Sequence, residues 1–229
     1  MSAVLTISNL SKKYGQRSLA FYALHDVNLE IEQGSFTAIV GRSGSGKTTL
    51  LNIIGGLEVP TEGRVEIQNQ DLYALKDAAR AAFRRQHIGY IFQFFNLLSE
   101  LTVQENIYLP AYLDHQSPNK HFIRKITRQL GLQDKLDKYP AELSGGEQQR
   151  TAVARALSTK PDIILADEPT GNLDRKSGDE LMELLNFSHQ FFEQTILMVT
   201  HDLDIARTAQ RVITLEDGKI VADFRGSQL

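Results

Sequence analysis

The residues with the clearest chemistry form the glycine-rich loop GRSGSGKT at residues 41–48. The loop matches the pattern G-x-x-x-x-G-K-[ST] in full, between a strand-like run and a helix-like run, which is the context the pattern requires. Glycines let the backbone curl so that its N–H groups face phosphate oxygens. Lys47 can bridge the β- and γ-phosphates of a nucleotide, and the Thr48 hydroxyl can bind Mg²⁺. The loop therefore predicts a nucleotide site rather than an ordinary glycine-rich turn.

A pair of carboxylates follows the apolar run DIILAD at residues 162–167. Asp167 comes after four apolar residues, so we expect it at the C-terminal edge of a buried parallel strand, where such sheets bind ligands. We expect it to bind Mg²⁺ through water. Glu168 cannot share that direction, because successive strand side chains point to opposite sides. Beyond the strand end it could lean toward the γ-phosphate and act as the base for water, the alternative being a surface acidic pair.

Two further polar residues end strand-like runs, Gln93 after HIGYIF and His201 after TILMVT. A glutamine can ligate Mg²⁺ through its carbonyl and orient water through its amide. An imidazole can donate a hydrogen bond to a γ-phosphate oxygen. Either residue alone could be structural, but four strand ends that converge on one phosphate site favour a functional role.

Hydrophobic patterns outline the elements that must position these residues. Strand patterns lie at residues 3–8, 24–31, 36–40, 63–68, 87–93, 162–167 and 194–201,. Helical spacing is found at residues 48–57, 105–113, 121–132, 147–157, 177–192 and 206–210,. The run RVITLEDGKIVADF predicts a hairpin with an Asp217-Gly218 turn,. Because residues 94–160 carry no strand pattern, the order predicts an α/β domain with an inserted helical subdomain.

The composition excludes several classes of protein. The chain has 229 residues and a net charge of −3, which does not suit nucleic-acid binding by bulk electrostatics,. It has no cysteine, so disulfides and thiolate metal sites are excluded, as fits a reducing compartment,. No apolar stretch approaches the roughly 18 residues that span a bilayer, and the N-terminus lacks a signal-peptide pattern. We therefore expect a soluble chain whose membrane component, if any, is another polypeptide.

A second glycine-containing helix start, LSGGEQQR at residues 143–150, also suits an anion,. Together with GRSGSGKT, Gln93, ILADEPTGNLD and His201 in this order, it makes the whole chain resemble the nucleotide-binding subunit of ABC transporters. The runs YALHDVNLEIEQGSF, FQFFNLLSELTVQENI and ADEPTGNLD are similar to the lipoprotein-release and macrolide-export branch of that family.

The resemblance implies the fold class and the domain organisation. We expect an α/β P-loop NTPase (RecA-like) core with an antiparallel β subdomain and an inserted α-helical subdomain. The whole would be one ABC ATPase domain over residues 1–229. The β subdomain and core would take residues 1–93 and 161–229, and the helical subdomain with the signature motif would take residues 94–160.

The resemblance also implies ATP and Mg²⁺ as cofactors and a role for each motif residue. The catalytic set is Glu168 as the base, with His201, Lys47 and Gln93. The metal ligands are Thr48, Gln93 and Asp167. The nucleotide-binding residues of the phosphate loop are Gly41, Arg42, Ser43, Gly44, Ser45, Gly46, Lys47, Thr48 and Thr49. Nucleotide contact from the opposite subunit is implied for Ser144, Gly145, Gly146 and Gln148. Asp174, which closes GNLD, is also expected among the nucleotide-binding residues. Tyr14 is expected to stack on adenine, with Tyr22 nearby as the alternative.

The implied function is an ATPase that dimerises head to tail and powers export through a separate membrane-spanning permease. Such a chain is cytoplasmic and peripheral on the inner face of the cell membrane. Cargo of the lipoprotein or macrolide type fits the branch, an importer subunit is the alternative, and the sequence does not name the cargo. Non-transport ABC ATPases and P-loop small-molecule kinases fit less well. The run FQFFNLL at residues 92–98 predicts an exposed apolar patch that contacts the permease, with core packing as the alternative,.

Overall fold

The computed structural model describes residues 2–15 and 19–225 of the chain. Residues 1 and 229, which bound the predicted domain, lie outside the described residues. The strands are β1 (Ala3–Tyr14), β2 (Phe21–Glu32), β3 (Phe36–Val40), β4 (Glu62–Ile67), β5 (Gln70–Asp71), β6 (Ile88–Ile91), β7 (Ile163–Asp167), β8 (Thr195–Thr200), β9 (Arg211–Glu216) and β10 (Lys219–Arg225). The α-helices are α1 (Lys47–Ile54), α2 (Asp77–His87), α3 (Val103–Leu113), α4 (Lys120–Gln129), α5 (Gly145–Leu157), α6 (Arg175–Phe192) and α7 (Leu203–Ala206).

A six-stranded sheet with the order β10-β9-β3-β8-β7-β6 forms the centre of the fold. All of its strand pairs are parallel except β9 with β10, which form the predicted hairpin through the Asp217-Gly218 turn. Every residue of β3 and β8 is buried, as expected for parallel strands covered on both faces,. The four strands that end at the predicted site residues, β3, β8, β7 and β6, are consecutive neighbours.

The two faces of this sheet pack against different partners, because side chains alternate along each strand. Ile39 of β3 and Leu165 of β7 share a cluster with Leu50 and Ile54 of α1. The same cluster includes the second sheet, which is antiparallel with the order β2-β1-β4-β5. Ala38 and Ala166 point the other way, into a cluster with residues of α3, α4, α5 and α6.

The chain between β6 and β7 is helical, with α3, α4 and α5 and two short 3₁₀ turns. α3 and α5 each begin with a complete capping box, Thr102 with Glu105 and Ser144 with Glu147,. Their buried faces meet through residues such as Ile107 and Val153.

Two helix assignments differ from the sequence prediction. Helix α2 was not predicted, because none of its residues is buried and it therefore lacks an apolar stripe,. The predicted position of a helix at residues 206–210 was wrong. The helix there, α7, runs from Leu203 to Ala206, because Asp202 caps its start by accepting hydrogen bonds from the backbone N–H groups of Asp204 and Ile205. No helix among the described residues is long and apolar enough to cross a membrane.

Candidate functional site

The phosphate loop connects β3 to α1, and two of its glycines are required by close approaches. A Cβ atom on Gly41 would lie 2.2 Å from the carbonyl oxygen of Leu215, and one on Gly46 would lie 2.3 Å from that of Ala23. Gly46 also has φ +102°, in the left-handed region that disfavours side chains,. The loop therefore keeps its bare backbone turned toward the C-terminal edge of the sheet.

Lys47 begins α1, and its ammonium lies against the inside of the loop. Nζ donates to the carbonyl oxygens of Gly41, at 2.7 Å, and Arg42, at 3.0 Å. The Ser45 hydroxyl is buried in the loop and has no hydrogen-bond partner within the part of the chain that is described. A buried ammonium group and a hydroxyl without a partner, both within this loop, are suited to binding an anion. The other loop residues, Arg42, Ser43 and Gly44, are exposed, and Thr49 is half-buried.

Thr48 and Asp167 bring together the loop and the end of β7. The Thr48 hydroxyl donates to Oδ1 of Asp167 at 3.3 Å. Burial raises the pKa of Asp167, the Thr48 hydrogen bond opposes the shift, and the charge of Glu168 adds to it,. A hydroxyl and a partly desolvated carboxylate oxygen at this distance can share one hard cation.

Glu168 follows Asp167 and turns sharply away from it. Its φ of +44° is unusual for a residue with a side chain,. The turn directs the carboxylate to the end of β8, where Oε2 lies 2.9 Å from Nδ1 of His201 and accepts from the His201 backbone N–H at 3.3 Å. Backbone strain of this kind is concentrated at functional sites. The structure thus pairs the predicted base with the histidine that was expected to donate to a γ-phosphate oxygen.

Gln93 follows β6 and lies beside the loop that leads out of β7. Its backbone carbonyl accepts from Nδ2 of Asn172 at 2.8 Å. Its side-chain Nε2 would be 3.2 Å from a Cβ atom on Gly171, whose own N–H donates to the Glu168 carbonyl. Gln93 is therefore positioned by residues that immediately follow the carboxylate pair.

Tyr14 ends β1 and contacts the start of α1 and the chain after it. Its hydroxyl donates to Oε1 of Glu58, and its ring lies 5.7 Å from that of Phe21 between centroids. Burial, and next the hydrogen bond to Glu58, raise the pKa of Tyr14, while a hydrogen bond from Thr49 opposes the shift. Lys12 pairs with Glu58 at 3.0 Å and lies over the Tyr14 ring. These contacts fix one edge of the ring near α1.

The signature residues lie at the start of α5, and their contacts are local. The Ser144 hydroxyl donates to Oε2 of Glu147 at 3.0 Å and accepts from the Glu147 backbone at 3.3 Å. Gln148 donates through Nε2 to the carbonyls of Pro140 and Leu143. Ser144 and Gly145 are exposed, and Gly146 faces Ser177 at the start of α6. The described contacts therefore join the signature to α6 and not to the phosphate loop of the same chain.

Asp174 caps α6 in this chain. Its carboxylate accepts from the backbone N–H of Ser177 at 3.1 Å and from the Ser177 hydroxyl at 2.8 Å. These bonds lower the pKa of Asp174. Because the Asp174 carboxylate already caps its own helix, it can bind a second chain only through the oxygen lone pairs that these bonds leave free.

The segment after Gln93 exposes apolar side chains, as predicted. Phe94 is 69% exposed and Leu98 is 45% exposed, whereas Phe95 is half-buried with its ring 4.0 Å from a Cβ atom on Gly145. Two residues without a predicted role hold the segment. Arg155 donates to the carbonyls of Phe95 and Asn96, and burial lowers the pKa of its guanidinium.

The second of these residues is Asn106 of α3, which is completely buried. Its amide donates to the carbonyls of Leu98, Leu101 and Thr102, and its Oδ1 accepts from Leu98. A lone polar residue in the apolar stripe of a helix was the available signal for both Asn106 and Arg155. Glu58 and Asn172 were also missed. No local pattern marks Glu58, whereas Asn172 lies within the GNLD motif, to which only Asp174 was assigned a role.

Comparisons with known proteins agree on the family. A family model described as "ABC transporter" matches residues 24–171. The chain is 44% identical over 223 residues to the macrolide export ATP-binding/permease protein MacB of Bartonella henselae, covering 96% of this chain and 34% of that protein. It is 43% identical to the lipoprotein-releasing system ATP-binding protein LolD of Geobacter metallireducens, covering 97% of this chain and 100% of that protein. The chain thus spans about a third of the length of the MacB relatives.

Solved structures agree on the fold. The ATP-binding cassette MJ0796, solved as a dimer in a post-hydrolysis state bound to ADP and Pi, superposes with a TM-score of 0.86 at 40% identity. The match covers 98% of this chain and all of that one. A second dimeric structure of the same cassette gives a TM-score of 0.87. The expected P-loop α/β fold class is therefore confirmed.

Proposed function

This chain belongs to the ABC transporter family, and from that premise we propose that it is an ATP-binding subunit that hydrolyses ATP to drive export through a separate membrane-spanning permease. One observation carries the proposal. Four neighbouring parallel strands end at one edge of the sheet, and a polar group follows each of them. These are Lys47 after β3, His201 after β8, Asp167 with Glu168 after β7, and Gln93 after β6. The names of the relatives suggest lipoproteins or macrolides as the class of cargo.

The protein holds the nucleotide through the phosphate loop, the start of α1 and Tyr14. The N–H groups at the start of α1 and the Lys47 ammonium bind the β- and γ-phosphates, and Arg42, Ser43 and Thr49 flank them. Tyr14 offers its ring face to the adenine while Glu58 holds its hydroxyl. The tether limits rotation of the ring, so less entropy is lost when a base stacks on it.

Thr48, Asp167 and Gln93 would hold Mg²⁺. Mg²⁺ fits these three residues, because a hydroxyl, a carboxylate and an amide carbonyl are hard oxygen ligands and the Thr48 hydroxyl already contacts Asp167,. No group of three His, Cys, Asp or Glu side chains among the described residues could hold a metal ion alone. When bound, Mg²⁺ would neutralise charge on the phosphate oxygens.

Glu168 takes the proton of the attacking water, and His201 holds its carboxylate in position. The carboxylate is anchored at Oε2 by both the ring and the backbone of His201, which leaves Oε1 for the water. A base with one free oxygen and a fixed orientation can align water opposite the leaving group. Lys47 stabilises the charge that develops on the γ-phosphoryl group.

We propose that two chains bind two ATP molecules between them, head to tail. Ser144, Gly145, Gly146 and Gln148, at the positive end of α5, would contact the nucleotide of the second chain. Their lack of described contacts with the phosphate loop of the same chain supports this assignment. Asp174 lies beside them, through Ser177, and would line the same interface.

Residues 94–160 are proposed to form the helical subdomain that couples to the permease. A groove of about 280 Å³ lies between α2 and the α3–α5 pair, and its lining includes Tyr90, Phe92, Leu113 and Arg155. Phe94 is exposed at the adjoining turn. An apolar groove rimmed by arginines suits a helix of a membrane protein. Attached in this way, the chain would be cytoplasmic and peripheral on the inner face of the membrane.

The test is the Glu168→Gln variant of the full chain. Wild type should hydrolyse ATP with Mg²⁺. The variant should bind ATP with unchanged affinity, lose hydrolysis by at least about 100-fold, as expected for loss of a general base, and accumulate as a dimer by light scattering. Glu62→Gln, at an exposed position of β4, is the control and should behave as wild type. An ATP-saturated variant that remains a monomer would overturn the dimer, and full hydrolysis would overturn the assignment of the base.

A further inference from the structure

Helix α4 presents an exposed face on which every charge is positive. Its ten residues include four cations and no acid, in a chain whose acidic residues outnumber its basic ones by 28 to 25. Ile123 and Ile126 bury the opposite face in the core. The exposed cations are Lys120, Arg124, Lys125 and Arg128.

These cations are not engaged by acids, unlike several cations on other helices. On α2, Arg80 and Arg85 pair with Asp77 and Asp114. On α4, none of the four cations makes an ion pair with any acid in residues 2–15 and 19–225, and a hollow of about 840 Å³ along the helix is lined without any carboxylate. Unneutralised positive charge on a chain of net charge −3 marks a local site for anions.

An aromatic side chain extends this basic face. Phe191, at the end of α6, is 51% exposed, and Nζ of Lys125 lies 4.2 Å from its ring centroid. Exposed aromatic rings beside lysine and arginine are typical of surfaces at the lipid headgroup level. Protein interfaces instead deplete lysine at their centre.

We propose that this face, comprising Lys120, Arg124, Lys125, Arg128 and Phe191, binds the anionic headgroups of a lipid bilayer. The orientation rests on the proposed function. Asn119, which caps the start of α4, shares a hollow with Arg85 and Thr159, and both of these also line the groove assigned to the permease. A chain docked through that groove therefore carries the basic face near the membrane surface. The lipid phosphates then add affinity to the permease contact.

The experiment is co-sedimentation of the full chain with phosphatidylcholine vesicles, with and without phosphatidylglycerol, at low and high salt. Wild type should bind when the anionic lipid is present and should dissociate at high salt. The triple variant Arg124→Gln, Lys125→Gln, Arg128→Gln should lose binding by about 100-fold, since each cation near an anionic surface contributes about fivefold.

The matched control removes three exposed cations elsewhere, Lys76→Gln, Arg207→Gln and Lys219→Gln, and so has the same net charge. It should keep binding. Equal loss in both triple variants, or binding that does not need phosphatidylglycerol, overturns the proposal. Both variants should hydrolyse ATP like wild type. Vesicle binding without any hydrolysis by wild type would leave the lipid surface standing and reject the ATPase assignment instead.

Discussion

Oε2 of Glu168 lies 2.9 Å from Nδ1 of His201 and also accepts the His201 backbone N–H. The contact joins the ends of β7 and β8, which are paired in parallel with Asp167 opposite Val199. It requires Glu168 to leave the strand with a left-handed φ, a conformation that costs about 1 kcal/mol,. The Glu168 carboxylate is therefore positioned by two features, the left-handed backbone at Glu168 and the contacts with His201.

His201→Ala should therefore lower the rate of ATP hydrolysis without weakening ATP binding. The imidazole is mostly exposed, so its loss should not unfold the chain, but the Glu168 carboxylate would keep only the backbone N–H of residue 201 as an anchor and would be oriented less well. We expect a fall in kcat of about 100-fold, the low end for an acid–base contribution. Steady-state hydrolysis and nucleotide titration measure the two quantities. His115→Ala, at another exposed position, is the control, and an equal loss of ATP affinity in His201→Ala would contradict this role.

Asp167→Asn should stabilise the chain against unfolding while it abolishes hydrolysis. Burial raises the pKa of the Asp167 carboxyl, so the folded state holds the proton more tightly than the unfolded state and the ionised carboxylate costs stability at pH 7,. Asparagine keeps an acceptor for Thr48 without the charge. The gain in Tm should be present at pH 7, shrink as pH falls through the raised pKa, and vanish below about 3.9, the ordinary value for Asp.

Asp223→Asn is the control of opposite sign. Two hydrogen bonds from Arg211, at 2.8 and 2.7 Å, lower the pKa of Asp223. Its ionised form thus stabilises the fold above the ordinary pKa, and this stability is lost as pH falls through the lowered value. The variant should have a lower Tm than wild type at pH 7, and the two Tm values should become equal at acid pH. Thermal melts across this range that show the same sign for both variants would refute the argument.

The location of the site could be predicted from the sequence, whereas its supporting contacts could not. Each polar residue that follows a buried strand, such as Asp167 or His201, is visible locally, and parallel pairing then brings the strand ends together. Glu58 reaches Tyr14 across 44 residues, and its contact depends on how α1 returns to the second sheet. Helix α2 escaped prediction for a different reason, because it has no buried face to create a periodic signal.

Ser144→Ala should abolish ATP-dependent dimerisation, although within its own chain the substitution removes only the N-terminal cap of α5. Loss of the capping box at α5 costs about 1 kcal/mol of stability,. Thr102→Ala breaks the same capping box at α3, with the same 3.3 Å bond to the backbone of its glutamate, and should cost a similar amount. Only Ser144 is assigned to the nucleotide of the second chain. If both variants dimerise equally with ATP, Ser144 is a cap alone.

Tyr14→Ala should raise KM for ATP by about tenfold, the upper range for one aromatic contact, and leave kcat unchanged. Tyr14→Phe keeps the ring but loses Glu58, so its effect should be smaller. Tyr22→Ala tests the other tyrosine, whose ring packs on His25 instead. If Tyr22→Ala has the larger effect on KM, the adenine contact belongs to Tyr22.

Phe94→Asp should uncouple ATP hydrolysis from transport while leaving the isolated chain active. Phe94 is more exposed than Phe95, whose ring lies against Gly145, so a charge at position 94 should not disturb the fold. If the Phe94 ring inserts into the permease, burying an aspartate there would cost several kcal/mol and prevent assembly. Leu203→Asp, at the first position of α7 and 56% exposed, is the matched control and should support transport. Permease pull-down and transport in cells measure coupling, and ATP hydrolysis by the purified chain measures integrity. Normal transport by Phe94→Asp would place the permease contact elsewhere on the surface.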